Sequence, residues 1–230
     1  MKLNFIITKL QASIEGEEEK FIKNYSFLTD DTKVWCMIDL ANSSNYRLLK
    51  GPLAGYVRGE TFFSLIKNVI ANNNKIRLIK EMGDAVLLSA ESLRPLLEGV
   101  ILINQIAYNL KATQPQEIYP FEIRSGFSFG IAKKLIRSNE DFLGSSIDQL
   151  ARIMSIRSQS SNIYIQEEAF VHNHEIIDEY KHFLSVSSPK KLLPKDTKNM
   201  IQDITYREMG IDLQGLLQFE EHFFDWRKKT

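Results

Sequence analysis

The stretch IRLIKEMGDAVLLS, residues 76–89, decides the fold. Its two apolar, β-favouring runs, 76–80 and 84–89, flank a polar turn that holds Gly83, the pattern of two adjacent antiparallel strands. Lys80, Glu81 and Asp84 interrupt the apolar pattern where the chain reverses. A turn needs polar residues, but an ammonium and a carboxylate four positions apart at a strand end also suit the binding of something charged.

Working outward, KVWCMIDL at 33–40 is nearly all apolar until Asp39, as expected of a central strand covered on both faces. ANSSNYRLLKGPLAGY, 41–56, reads as a loop at the end of that strand. ETFFSLIKNVIAN, 60–72, places apolar residues three and four apart and predicts an amphipathic helix. A second helix is expected over 92–109, capped by Ser92 and with Pro95 early enough to be tolerated. Strand character returns at FEIRSGFSFGIAKKLI, 121–136; IDQLARIMSIRS, 147–158, is helical by period; NIYIQEEAF, 162–170, reads as a short strand. Upstream of all these, residues 11–30 read as a short acidic helix and a connection. The alternation predicts an α/β (α+β) domain, a mixed sheet with helices packed on it. Beyond it, 174–185 looks helical, SSPKKLLPK at 187–195 is a Pro-interrupted break, and 196–226 reads as further helix interrupted at Gly210. The expected organisation is a domain over 1–180 and a helical C-terminal extension over 181–230.

Composition narrows the function classes. Apolar residues make up 43% and charged residues 25%, with 29 Lys+Arg against 29 Asp+Glu, so no basic surplus points to nucleic acid. Cys36 is the only cysteine, which precludes an internal disulfide; within its apolar run it reads as a core residue rather than a nucleophile. The longest apolar stretch, near 100–108, contains Asn104 and Gln105 and is too short to span a bilayer, so a cytoplasmic protein without membrane attachment is expected. GPLAGYVRG, 51–59, lacks both the terminal Lys-Ser/Thr of a P-loop and Rossmann spacing, and its Arg58 reads as a phosphate contact or a partner of a surface acid. His172 and His174 read as surface histidines.

Two groups of residues carry chemistry. If the strands bearing Asp39 and Asp84 are neighbours, two carboxylates meet at one end of the sheet, where they suit one or two Mg²⁺ or Mn²⁺ ions shared with triphosphate oxygens. Alone, each could equally cap a turn. In NEDFLGSSIDQLARIMS, Asp141, Asp148 and Arg152 follow at intervals of seven and four, so Asp148 and Arg152 share a helix face, where an ordinary ion pair is the plain reading.

Taken together, MIDLANSSNY, IRLIKEMGDAVLLS, IRSGFSFG and DFLGSSIDQLARIM resemble the catalytic domain of class III nucleotidyl cyclases, in order and approximate spacing over residues 33–168. The resemblance implies a ferredoxin-like domain and a two-metal site for Mn²⁺ or Mg²⁺ held by Asp39 and Asp84, with Leu40 offering a backbone carbonyl. It implies that Lys80 and Asp141 contact the base, that Asp148 stands at a ribose-orienting position usually held by asparagine, and that Arg152 stabilises the transition state. It also implies a head-to-tail homodimer whose two sites each take metal carboxylates from one protomer and base-reading and arginine residues from the other. Asn42 departs from the pattern, standing where the first motif usually has glycine, and the segment between Gly130 and Asp141 is short.

Base choice follows from two conflicting likenesses. The pair Lys80 and Asp141 is associated with adenine and read alone implies ATP. The longer stretch 39–63, DLANSSNYRLLKGPLAGYVRGETFF, resembles the stand-alone bacterial pyrimidine cyclases of anti-phage signalling, which place an aromatic near the base at about the position of Tyr46. UTP, giving cyclic UMP, is the favoured expectation; CTP and ATP are the alternatives, and a degenerate nucleotide sensor is the alternative outside enzymes. The same likeness implies a separate effector protein that reads the cyclic nucleotide.

Overall fold

The computed structural model describes residues 31–113, 122–134, 142–156, 163–192 and 203–218, together with Gly16. Asp141 and, Gly16 apart, the acidic segment 11–30 lie outside the described residues. The chain runs β1 (Asp31–Leu40), α1 (Ser43–Lys50), α2 (Pro52–Ala71), β2 (Arg77–Met82), β3 (Ala85–Ala90), α3 (Leu93–Thr113), β4 (Ile123–Lys134), β5 (Phe142–Leu143), α4 (Ser145–Met154), β6 (Ile163–Gln166), α5 (Glu167–His172), α6 (His174–Glu179), β7 (Leu184–Val186), β8 (Lys190–Leu192), β9 (Ile204–Ile211) and α7 (Leu213–Gln218).

The strands share one sheet in the order β2-β3-β1-β4-β6-β9-β7, with β5 on β4 and β8 on β9. Among the described residues only β4 and β6 run parallel, and every other pairing is antiparallel. The βαββαβ core has the ferredoxin-like order, with β1 between β3 and β4.

Period-two alternation in β1 explains why both faces are covered. Val34, Cys36, Ile38 and Leu40 join a core with Phe62, Ile66 and Val69 of α2 and Leu93, Leu97 and Val100 of α3. Trp35 and Met37 point the other way, into a core with Leu150, Ile153 and Met154 of α4. Each fully buried aliphatic or aromatic side chain here contributes about 1.5–3 kcal/mol relative to exposure. Cys36 is fully buried in the first core, and burial pushes its thiol far above the usual range, which fits the core role.

Two readings from the sequence are corrected. The 41–56 segment is not a loop: it forms α1 and the start of α2, separated by Gly51 at φ +90° with Pro52 at the first helical position. No residue of α1 is buried, so its helix leaves no apolar stripe to read. The C-terminal region is not simply helical. Ile204–Ile211 is a strand paired with β6, and Ile204 and Tyr206 face the α4 core while Met209 faces the other. Its period of two, I-T-Y at the start, is too short to stand out before Gly210. The stretch 174–185 likewise starts as α6 but ends in β7.

Candidate active site

The site begins where β1 ends. Asp39 lies opposite Ala85 of β3 and Arg124 of β4, and the Leu40 amide donates to the Asp84 carbonyl at 3.0 Å. The β2–β3 turn is two residues long, with Gly83 at φ +67°, so Asp84 is delivered beside the end of β1. The structure thus brings Asp39, Leu40 and Asp84 together. The turn and the central strand supply the two carboxylates, and β-pairing fixes their separation.

Each carboxylate is already held. The Arg124 guanidinium donates through Nη2 to Asp39 Oδ2, and the Ser43 hydroxyl, at the first residue of α1, donates to Asp84 Oδ2. Burial is the main cause that raises the Asp39 pKa; Arg124 opposes it, and the nearby Asp84 charge adds to it. Ala41 and Asn42 are tied to Glu122: the Ala41 amide donates to its carbonyl at 2.7 Å and Asn42 Nδ2 to its carboxylate at 2.8 Å. Asn42 sits at φ +58°, the left-handed region that glycine adopts freely and asparagine tolerates best among side-chain-bearing residues. Asparagine is therefore a conformational match here, and its side chain gains a bond to Glu122 that glycine could not make.

A second arginine lies beneath this loop. Arg58 of α2 is 2% exposed, donates Nη2 to the Ala41 carbonyl at 3.0 Å, and sets its guanidinium 4.7 Å from the centre of the Tyr46 ring. Burial lowers its pKa, offset by Tyr46, Glu122 and Asp84, and an arginine so placed remains a cation. Sequence reasoning misses the roles of both arginines: Arg58 reads there as a phosphate contact or a partner of a surface acid, and Arg124 is not singled out. Two arginines against Asp39, Asp84 and Glu122 leave one negative charge in excess.

This donor set fits a divalent cation. Carboxylate and carbonyl oxygens are hard ligands suited to Mg²⁺ or Mn²⁺, and Asp39, the Leu40 carbonyl and Asp84 supply them side by side. Among the described residues no group of three or more His, Cys, Asp or Glu converges, so each ion would draw further ligands from backbone carbonyls, water or substrate. One consequence is measurable. Replacing Arg124 by methionine keeps the stem but leaves Asp39 uncompensated, and should cost about 3 kcal/mol of stability. Thermal unfolding with and without millimolar Mn²⁺ checks this: the ion should restore much of the loss, and a deficit indifferent to Mn²⁺ would contradict a cation site at Asp39.

Lys80 reaches the same sheet face by a register shift. A bulge between Leu78 and Lys80 sets Lys80 opposite Leu87, which in turn lies opposite Met37. Directly opposed residues share a face, so Lys80 stands on the side of Met37 and Asp39, exposed, with the extra residue Ile79 buried in the α4 core. Without the bulge Lys80 would point to the opposite core.

Asp148 and Arg152 lie one turn apart on α4, Asp148 exposed and Arg152 partly so. Among the described residues no ion pair joins them to each other or to Asp39 and Asp84. Helix α4 is seated closely: a Cβ on Gly144 would stand 2.6 Å from the Ile131 carbonyl oxygen, and one on Gly126 would stand 2.7 Å from Met154 Sδ. The structure therefore assembles the carboxylate half of the predicted site within one chain. Lys80 stands on the face of Asp39, and among the described residues no ion pair joins Asp148 or Arg152 to the carboxylates.

No family model and no curated protein matches the sequence. Solved structures do. The guanylyl cyclase Cya2 aligns at 13% identity over 80% of this chain and 94% of that one, with a TM-score of 0.61. An adenylate/guanylate cyclase/hydrolase from Silicibacter pomeroyi aligns at 18% identity over 80% and 99%, with a TM-score of 0.61. The adenylyl cyclase CyaB from P. aeruginosa aligns at 12% identity over 79% and 96%, with a TM-score of 0.58. The chain has the fold of adenylyl and guanylyl cyclase domains, and in this chain Asp39 near the end of β1 and Asp84 in the β2–β3 turn come together at one end of the sheet.

Proposed function

We propose that this protein is a uridylate cyclase that converts UTP to 3′,5′-cyclic UMP and pyrophosphate, working as a homodimer with two shared sites. The observation that supports cyclase chemistry best is the junction of Asp39, Leu40 and Asp84 on a nucleotidyl cyclase fold, with hard oxygen donors around an excess negative charge. Bound there, two Mn²⁺ or Mg²⁺ ions would lower the pKa of the ribose 3′-hydroxyl and compensate charge along the triphosphate.

The chain's residues then divide the work. Asp39, Asp84 and the Leu40 carbonyl would hold the ions, while Ser43 and Arg124 fix the two carboxylates. Lys80 and Asp141 contact the base edge, Asp148 orients the ribose, and Arg152 meets the charge that develops on the α-phosphoryl group. The 3′-oxygen bonds to the α-phosphorus in line as the bridging bond to the β-phosphate breaks; the hydroxyl proton passes to solvent and pyrophosphate departs. A second protomer completes each site, as the resemblance implies; Asp148 and Arg152 lie on α4 and make no ion pair with Asp39 or Asp84 among the described residues.

Tyr46 supports the pyrimidine assignment. Its ring lies in the helix that follows Asp39, packed against the Arg58 guanidinium, and an aromatic placed there would favour a one-ring base by filling space beside it. Lys80 on the face of Asp39 supports the second reading, ATP. No helix among the described residues is long and apolar enough to cross a membrane. The reading places the enzyme in the cytoplasm, making a second messenger for anti-phage defence that a separate effector reads.

The test is incubation with Mn²⁺ and UTP, CTP, ATP or GTP in separate reactions, with products resolved by mass and chromatography. Cyclic UMP as the main product is expected. Cyclic AMP instead would move the assignment to Lys80 and ATP, and no cyclic product from any nucleotide, in the presence of either metal, would favour a nucleotide sensor.

A further inference from the structure

We propose that Arg58 is a positioning residue for base choice: its buried guanidinium ties the Tyr46 ring to the Ala41 carbonyl, so that the aromatic and the metal-side loop are held as one unit. The inference rests on the pyrimidine reading of the site.

Filling space does not explain an arginine here. A leucine or methionine would occupy the volume without the desolvation cost that a guanidinium carries at 2% exposure. What the cation gains is specific. Nη2 donates a hydrogen bond that no apolar side chain could supply, and it reaches the carbonyl of Ala41, two residues after Asp39, at 3.0 Å. The planar group also lies 4.7 Å from the ring centre of Tyr46, which begins the hydrogen-bonded part of α1 by donating its amide to Asn42 at 2.9 Å. A guanidinium over an aromatic face restricts both the position and the tilt of the ring. Asp84 and Glu122 act favourably on the same cation, so the arginine is electrostatically joined to the carboxylate cluster as well.

Tyr46 has few internal rotations, and anchoring its ring removes the remaining freedom before substrate arrives, which is how a rigid aromatic discriminates by shape. Loss of Arg58 should therefore act through Tyr46. It should weaken the choice between a one-ring and a two-ring base more than it weakens turnover.

A double-mutant cycle on the full chain tests this, using wild type, Arg58→Met, Tyr46→Ala and the double variant with Mn²⁺ and UTP, CTP or ATP. Arg58→Met should raise the KM for UTP about tenfold more than the KM for ATP. The double variant should discriminate no worse than Tyr46→Ala, and the thermal midpoints of the four proteins should be non-additive. Arg58→Lys, which keeps the charge over the ring without the planar fork, should recover part of the discrimination. Equal losses for every nucleotide, or additive effects of the two substitutions, overturn the proposal. If wild type itself prefers ATP, the pyrimidine reading fails, and the cycle is read on the KM for ATP, where additivity again overturns the clamp. Should Arg58→Met not fold, Arg58→Gln, which can still donate to the Ala41 carbonyl but carries no charge over the ring, takes its place in the cycle with Tyr46→Ala.

Discussion

Asp39→Asn should lower cyclic nucleotide formation at least about a thousandfold, equivalent to roughly 4 kcal/mol of transition-state stabilisation. Asparagine keeps the size of the side chain and one oxygen that can still accept from Arg124, so β1 and its pairing with β3 and β4 need not change. What disappears is the charge that a divalent ion needs beside Asp84. The substitution also leaves Arg124 without its counter-charge, and the thermal midpoint must accompany the assay so that lost fold and lost chemistry are told apart. A folded Asp39→Asn protein that retains product formation within tenfold would remove Asp39 from the metal site. Manganese binding gives an independent reading, because the variant should lose affinity even where no nucleotide is present.

The carboxylates were legible in the sequence because local rules place them. An apolar run ending in Asp39 is a central strand, and a glycine turn between two apolar runs puts Asp84 beside it; β-pairing does the rest. The resemblance to nucleotidyl cyclases, carried by four short motifs, anticipated a fold that the structural neighbours share. The parts that escaped have physical causes. Helix α1 buries nothing, so no periodic pattern marks it, and Leu48 and Leu49 stay more than 80% exposed. The face chosen by Lys80 depends on a one-residue bulge, and strict alternation would have pointed it into the core. Strand β9 follows from pairing with β6, a partner about forty residues away in sequence, and propensity alone does not reveal it. Arg58 reads from sequence as a phosphate contact or a partner of a surface acid because arginine is ordinarily a surface residue; only the fold shows the carbonyl and the ring that it holds.

Arg152→Ala should reduce kcat about a hundredfold to a thousandfold while leaving nucleotide binding nearly unchanged, since its interaction strengthens as charge develops on the α-phosphoryl group. Its partial exposure on α4, with no ion pair to another described residue, means that little folding stability should be lost, in contrast to Arg124. The arginine also gives the sharpest test of how the site is assembled. If Asp39 and Arg152 serve one site from different protomers, a dimer of Asp39→Asn with Arg152→Ala contains one site with both substitutions and one with neither. Random exchange makes half of the dimers mixed, and each has one intact site of two, so equal mixing should restore about a quarter of wild-type activity from two nearly inactive proteins. Recovery should follow the kinetics of subunit exchange and disappear on dilution to monomer. If exchange is shown by a mass or fluorescence label and activity still does not return, the two residues belong to the same protomer, and α4 would then have to reach Asp39 within its own chain by a movement away from its tight seat on Gly126 and Ile131.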